Sequence, residues 1–62
     1  MVRNRVKQCR KAAGLTLAEL AEITGVGVST ICQIEQGAEP RVVTAIRLAR
    51  ALGKRVEWLW LV

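Results

Sequence analysis

The stretch LTLAELAEITGVGVSTICQIEQG, residues 15–37, contains two short amphipathic segments separated only by Gly25, Val26 and Gly27. Thr16 stands where a helix N-cap belongs, and Glu19, three residues on, completes a capping box. In that arrangement each side chain accepts a hydrogen bond from the other residue's backbone N–H. Leu17, Leu20 and Ala21 fall on one face of a helix over 17–24, and Ile31 and Ile34 on one face of a second over 28–36. Two helices joined this tightly cross at a steep angle. The crossing needs a small residue where the backbones touch, and a residue at ease with positive φ to end the first helix. It also needs an apolar plug in the turn and apolar anchors on the second helix. Ala21, Gly25, Val26, Ile31 and Ile34 meet these needs in register. From Gly25 to Gly37 the segment carries no Lys or Arg, and its one charge is Glu35.

The rest of the chain reads as three further helices. The first covers about 2–13, with Val6, Cys9 and Ala13 inward and Arg3, Arg5, Lys7, Arg10 and Lys11 filling much of the remainder. The fourth covers about 41–52, where Val42, Ala45, Ile46, Ala49 and Leu52 form a helical stripe. A short fifth, about 56–61, brings Val56, Leu59 and Trp58 to the core. Glycines at 14, 25, 37 and 53 each follow a periodic segment, as helix-ending glycines do. The expectation is an all-α fold: one compact domain over 1–62, five helices, no strands, and a tight helix pair at about 17–36.

Composition bounds the function. Sixty-two residues allow one small core, near the lower limit for unaided folding. Without Phe or Tyr, that core comes from Leu, Ile, Val, Ala and two Trp, which favours packed helices over a sheet. No apolar run approaches the length of a membrane span and no apolar leader follows the N-terminus, so a cytoplasmic protein is expected. A net charge of +5 on so small a body favours an anionic partner such as nucleic acid. Cys9 and Cys32 suit a reducing compartment, and with no His they form no metal-ligand pattern. Cys9 is expected to be a small core residue. No cofactor is implied. With no His, no Asp and no nucleophile–base pairing, enzymatic activity is not expected.

The segment 15–37, followed by Pro40, by LARALG at 48–53 and by VEWLW at 56–60, resembles the Cro/cI-type helix-turn-helix family, also called lambda-repressor-like or XRE. The resemblance spans about 6–60. It implies a compact five-helix DNA-binding domain that acts as a homodimer on operators with two-fold symmetry, its third helix inserted in the major groove. The function implied is a sequence-specific transcriptional regulator, a repressor from a bacterium or phage, with double-stranded DNA as partner. By position, Val28, Ser29 and Gln33, with Cys32 nearby, match base-contacting residues. Thr16, Leu17, Gly27, Thr30 and the 37–41 loop with Arg41 match phosphate contacts. Arg10 and Glu35 match an ion pair between helices one and three, and Arg10 and Lys11 are further candidate cations for the DNA backbone.

Three positions depart from the family pattern. Leu17 stands where Gln is frequent, Val28 where a basic or polar residue is frequent, and Ile23 and Thr24 look exchanged. The third departure is expected to expose Ile23 and to let Thr24 bond back to the carbonyl four residues earlier. A reading helix without basic residues remains compatible with DNA, because phosphate contacts position a protein and base contacts specify. Backbone N–H groups at helix starts hold phosphate without side-chain charge. Val28 suits a thymine methyl, Gln33 a bidentate contact to adenine, and Ser29 either a donor or an acceptor. Cys32 is expected to be a small residue facing the groove. The apolar end, Trp58, Trp60, Leu61 and Val62, is expected to form the dimer contact. Two other readings use the same fold: a protein-interaction module that does not read DNA, and an antitoxin that binds a protein partner and represses its own operon.

Overall fold

The computed structural model describes residues 3–60, which form α1 (Val6–Ala12), α2 (Leu17–Thr24), α3 (Val28–Glu35), α4 (Val42–Leu52) and α5 (Val56–Leu59). All regular structure among the described residues is helical. Val6, Leu20, Ile31, Leu48 and Leu59 are fully enclosed, so every helix contributes to one hydrophobic core.

The first helix is shorter than its periodicity suggests. Asn4 starts it: its Oδ1 accepts the Val6 N–H at 3.1 Å, and its Nδ2 donates to the Ile34 carbonyl at 2.8 Å. One side chain therefore both opens α1 and pins it to the end of α3. Residue 2, included in the expected helix, lies outside the described residues. Ala13, expected inward, is exposed. The helix ends at Ala12, and the Leu15 N–H turns back to the Arg10 carbonyl at 3.1 Å, carrying Ala13 to the surface.

Two further expectations change. The inner stripe of α4 is Ala45, Leu48 and Ala49, with Leu52 half-buried, while Val42 and Ile46 are 75% and 39% exposed. The same helical spacing fits either set; α4 is rotated so that Leu48 points inward and Val42, at the open first turn, projects past the core. At the other end, α5 makes a single turn and Trp60 leaves it with extended backbone (φ −104°, ψ 95°). The break in helical phase turns the Trp60 ring inward, to 7% exposure, and leaves Trp58 41% exposed. Trp60 thus belongs to its own chain's core and is not a free dimer-contact residue, and Trp58 is not a core residue. Leu61 and Val62 lie outside the described residues.

Arg10 provides the polar centre of the fold. Its Nε donates to Glu35 Oε2 at 2.8 Å, its Nη2 approaches Oε1 at 3.4 Å, and its Nη1 donates to the Leu15 carbonyl at 2.8 Å. The two side chains are 10% and 7% exposed. Removing one member of such a pair strands the other charge in a dry site, at a cost of about 3 kcal/mol. That is a large share of a small domain's stability. Arg10→Met is expected to lower stability by about that amount, whereas Lys7→Met, on the exposed side of α1, changes it by less than about 0.5 kcal/mol. Urea denaturation followed by circular dichroism measures both, and equal small losses contradict the assignment.

Candidate nucleic-acid interface

The chain bends through 114° between α2 and α3. Gly25 makes the bend with φ +75°, a conformation that strains any residue with a Cβ. Thr24 locks it. Its hydroxyl donates to the Leu20 carbonyl at 2.7 Å and accepts the Val26 N–H at 3.2 Å, so it closes the end of α2 and holds the middle residue of the turn. Val26 is buried as the plug. Ile23 is 60% exposed and Thr24 9%, as the exchange of these two residues predicts.

Burying Ile31 and Ile34 fixes which side of α3 faces out. Val28 is 44% exposed, Ser29, Thr30 and Gln33 are exposed, and Cys32 is half-buried with the Gln36 Nε2 at 3.6 Å from its sulfur. Val28 and Cys32 are four residues apart, as are Ser29 and Gln33, so the four expected base-contacting residues share one outward face. Gly27 caps α3 with extended backbone and no side-chain acceptor. The first N–H groups of α3 are therefore without a side-chain cap, at the positive end of the helix dipole.

At the head of α2 the capping box forms as expected: Thr16 N–H donates to Glu19 Oε1 at 2.8 Å, and Glu19 N–H donates to Thr16 Oγ1 at 3.1 Å. The bond from the Thr16 backbone, reinforced by its side chain, holds the Glu19 carboxyl below its ordinary pKa. Leu17 packs against the core, which leaves only its backbone N–H for a phosphate. This placement accounts for an apolar residue there.

The cations are distributed around this face rather than on it. Arg41 caps the start of α4 and lines a depression of about 160 Å³ together with Thr30, Gln33 and the carboxylate-bearing Glu39. Lys11 is exposed on α1. Arg10 is not available to phosphate, because Glu35 and the Leu15 carbonyl occupy its guanidinium. Two cations escaped the sequence reading. Arg47 Nη1 lies 3.8 Å from where a Cβ on Gly25 would stand, and Arg50 joins it beside Ile23 and Thr24. Neither forms an ion pair among the described residues. No spacing signal reveals them, since their place depends on how α4 packs on α2. Asn4 was also missed, although an Asn just before an apolar-periodic segment is a helix-start signal.

A helix-turn-helix family model matches residues 6–59. A curated protein of Methanothermobacter thermautotrophicus, described as an uncharacterized HTH-type transcriptional regulator, is 44% identical over 54 residues, covering 86% of this chain and 78% of that protein.

Two outcomes follow from this geometry. Thr24→Val removes the acceptor of a buried N–H, that of Val26, and is expected to cost about 1–3 kcal/mol. Chemical denaturation of the two proteins checks it, and an unchanged midpoint contradicts the lock. The second concerns pH. A carboxyl whose folded pKa is depressed contributes stability that is present above its unfolded value of 4.5 and is lost as pH falls through the lower folded value. Melting temperatures recorded down an acid series should therefore fall more steeply for the unmodified chain than for Glu19→Gln. Parallel curves contradict the contribution of the capping box.

Proposed function

The chain belongs to the helix-turn-helix family, and on that premise we propose that it is a DNA-binding transcription regulator. In this reading it is a cytoplasmic repressor that inserts α3 into the major groove as a homodimer. The observation that carries the reading is the outward face of α3. It presents Val28, Ser29 and Gln33 together, next to uncapped N–H groups and next to Arg41. Gln33 suits the N6 and N7 edge of adenine, Val28 a thymine methyl, and Ser29 a donor or acceptor. Cys32, half-buried, lies one turn after Val28. Thr16, Thr30, the backbone of Leu17 and Gly27, and Arg41 hold the sugar-phosphate backbone, assisted by the dipole at the start of α3. The absence of Lys and Arg from α3 then separates the two tasks, with base choice on the helix and charge beside it.

The homodimer surface in this reading lies on α4 rather than on Trp60, whose ring is buried. Val42, Val43 and Ile46 are 75%, 60% and 39% exposed. Val42 and Ile46 line a mainly apolar groove of about 280 Å³ together with Glu39, Pro40, Val56 and Trp60. Exposed aliphatic residues grouped in this way support a protein contact. The buried Trp60 Nε1 has no hydrogen-bond acceptor among the described residues and belongs to the same groove wall. The same apolar surface favours the second reading, an interaction module or antitoxin in which a different protein covers α4.

Binding selection from a random-duplex library, followed by gel shifts at two salt concentrations, tests the proposal. On the selected site Gln33→Ala is expected to cost about 1–3 kcal/mol and to relax the choice at one base pair. Arg41→Ala is expected to weaken binding to all duplexes alike and to reduce the salt slope by about one unit. No preferred site, together with no salt-dependent binding, overturns the regulator reading and leaves the interaction module. Sedimentation separates the dimer: Ile46→Glu is expected to give a monomer, and a monomeric unmodified chain at high concentration contradicts the α4 contact.

A further inference from the structure

A second groove lies between α1 and the connection from α4 to α5. It has a volume of about 370 Å³, and Gln8, Cys9, Ala12, Ala13, Leu52 and Trp58 line it. No residue of α2 or α3 lines it, so it stays open when the face of α3 is occupied. Two cations stand at its α5 end. Arg5 lies over the Trp58 ring at 4.4 Å from the centroid, and Lys54, itself a lining residue, at 5.0 Å. The negative face of the ring attracts both cations. Neither has an ion-pair partner among the described residues. The nearest carboxylate in sequence, Glu57, is engaged by Arg55 at 3.3 Å, and no acidic side chain lines the groove.

A mainly apolar lining with unneutralised cations at one end matches one ligand chemistry. The lining takes aliphatic side chains, and the cations take carboxylates. We infer that this groove docks an acidic amphipathic helix of another protein, its aliphatic side chains on Ala12, Ala13 and Leu52 and its carboxylates at Arg5 and Lys54. Charge complementarity selects this occupant over a second copy of the chain, which is itself basic at +5. Single-stranded nucleic acid is the less suitable polyanion, because base stacking needs a free aromatic face and Arg5 and Lys54 already lie over Trp58. The inference does not depend on the DNA reading, since it concerns a different face.

The test titrates the isotope-labelled full chain with a short synthetic peptide carrying Leu and Glu at helical spacing, and with its Lys-for-Glu counterpart, followed by amide chemical shifts. Saturable shifts are expected at Gln8, Cys9, Ala12, Leu52 and Lys54 with the acidic peptide alone, weakening as salt rises. Reversing both cations, Arg5→Glu with Lys54→Glu, is expected to weaken binding about tenfold. Ala13→Trp fills the groove without changing charge and is expected to abolish the shifts, with circular dichroism confirming that it folds. Arg41→Glu, on the other face, should leave affinity within about twofold. Three results overturn the inference: no saturable shift up to about millimolar peptide, an equal loss from Arg41→Glu, or tighter binding of oligothymidine at the same amides.

Discussion

The guanidinium of Arg10 joins three parts of the chain that are otherwise separate. It leaves α1, reaches Glu35 near the end of α3 and holds the Leu15 carbonyl just before α2. The orientation of the helix pair therefore depends on a charge taken out of water, and such a charge is tolerated only while every partner is in place. Asn4 reinforces the same junction from the other end of α1 through the Ile34 carbonyl. Apolar packing alone gives a small all-helical core considerable freedom to slide. Directional bonds from α1 to both ends of the α2–α3 unit remove that freedom, and they fix which side of α3 faces out.

The helix pair was the part most legible in the sequence. Thr16 with Glu19, Gly25, Val26, Ile31 and Ile34 all impose local requirements, and local requirements are visible in a single chain. The burial of Thr24 and exposure of Ile23 were legible for the same reason, because a Thr near a helix end has a carbonyl four residues back within reach. What escaped was set by packing between distant segments. The rotation of α4 that buries Leu48 and exposes Val42 and Ile46 is degenerate in the helical pattern, since both sets satisfy it. The inward turn of Trp60 follows from a helix that stops after one turn, and end positions are the least determined by periodicity. Arg10 matched both a buried ion pair and a phosphate contact, and the structure gives it to the ion pair.

The candidate site shows the same division. The outward set on α3 is the complement of Ile31 and Ile34 and needs no tertiary knowledge. The cations beside it do. Arg41 comes next to Thr30 and Gln33 only because the loop after α3 returns across its end, and Arg47 meets the turn only because α4 packs behind α2. In the proposed reading, a helix without basic residues, framed by separate cations, is how a segment lacking Lys and Arg is held to a polyanion. In that reading, charge placed beside the groove supplies attraction for any duplex, and the helix supplies the choice among them.

The claim that α3 reads base edges is tested most directly by pairing a change in the protein with a change in the DNA. On a selected duplex, 7-deazaadenine in place of each adenine in turn removes the N7 acceptor that lies in the major groove. At one position per half-site the substitution should weaken the unmodified chain and leave Gln33→Ala unaffected, because the contact is already gone. Independent, additive losses at every position would mean that Gln33 and the adenine edge do not meet, and α3 would not be the reading element.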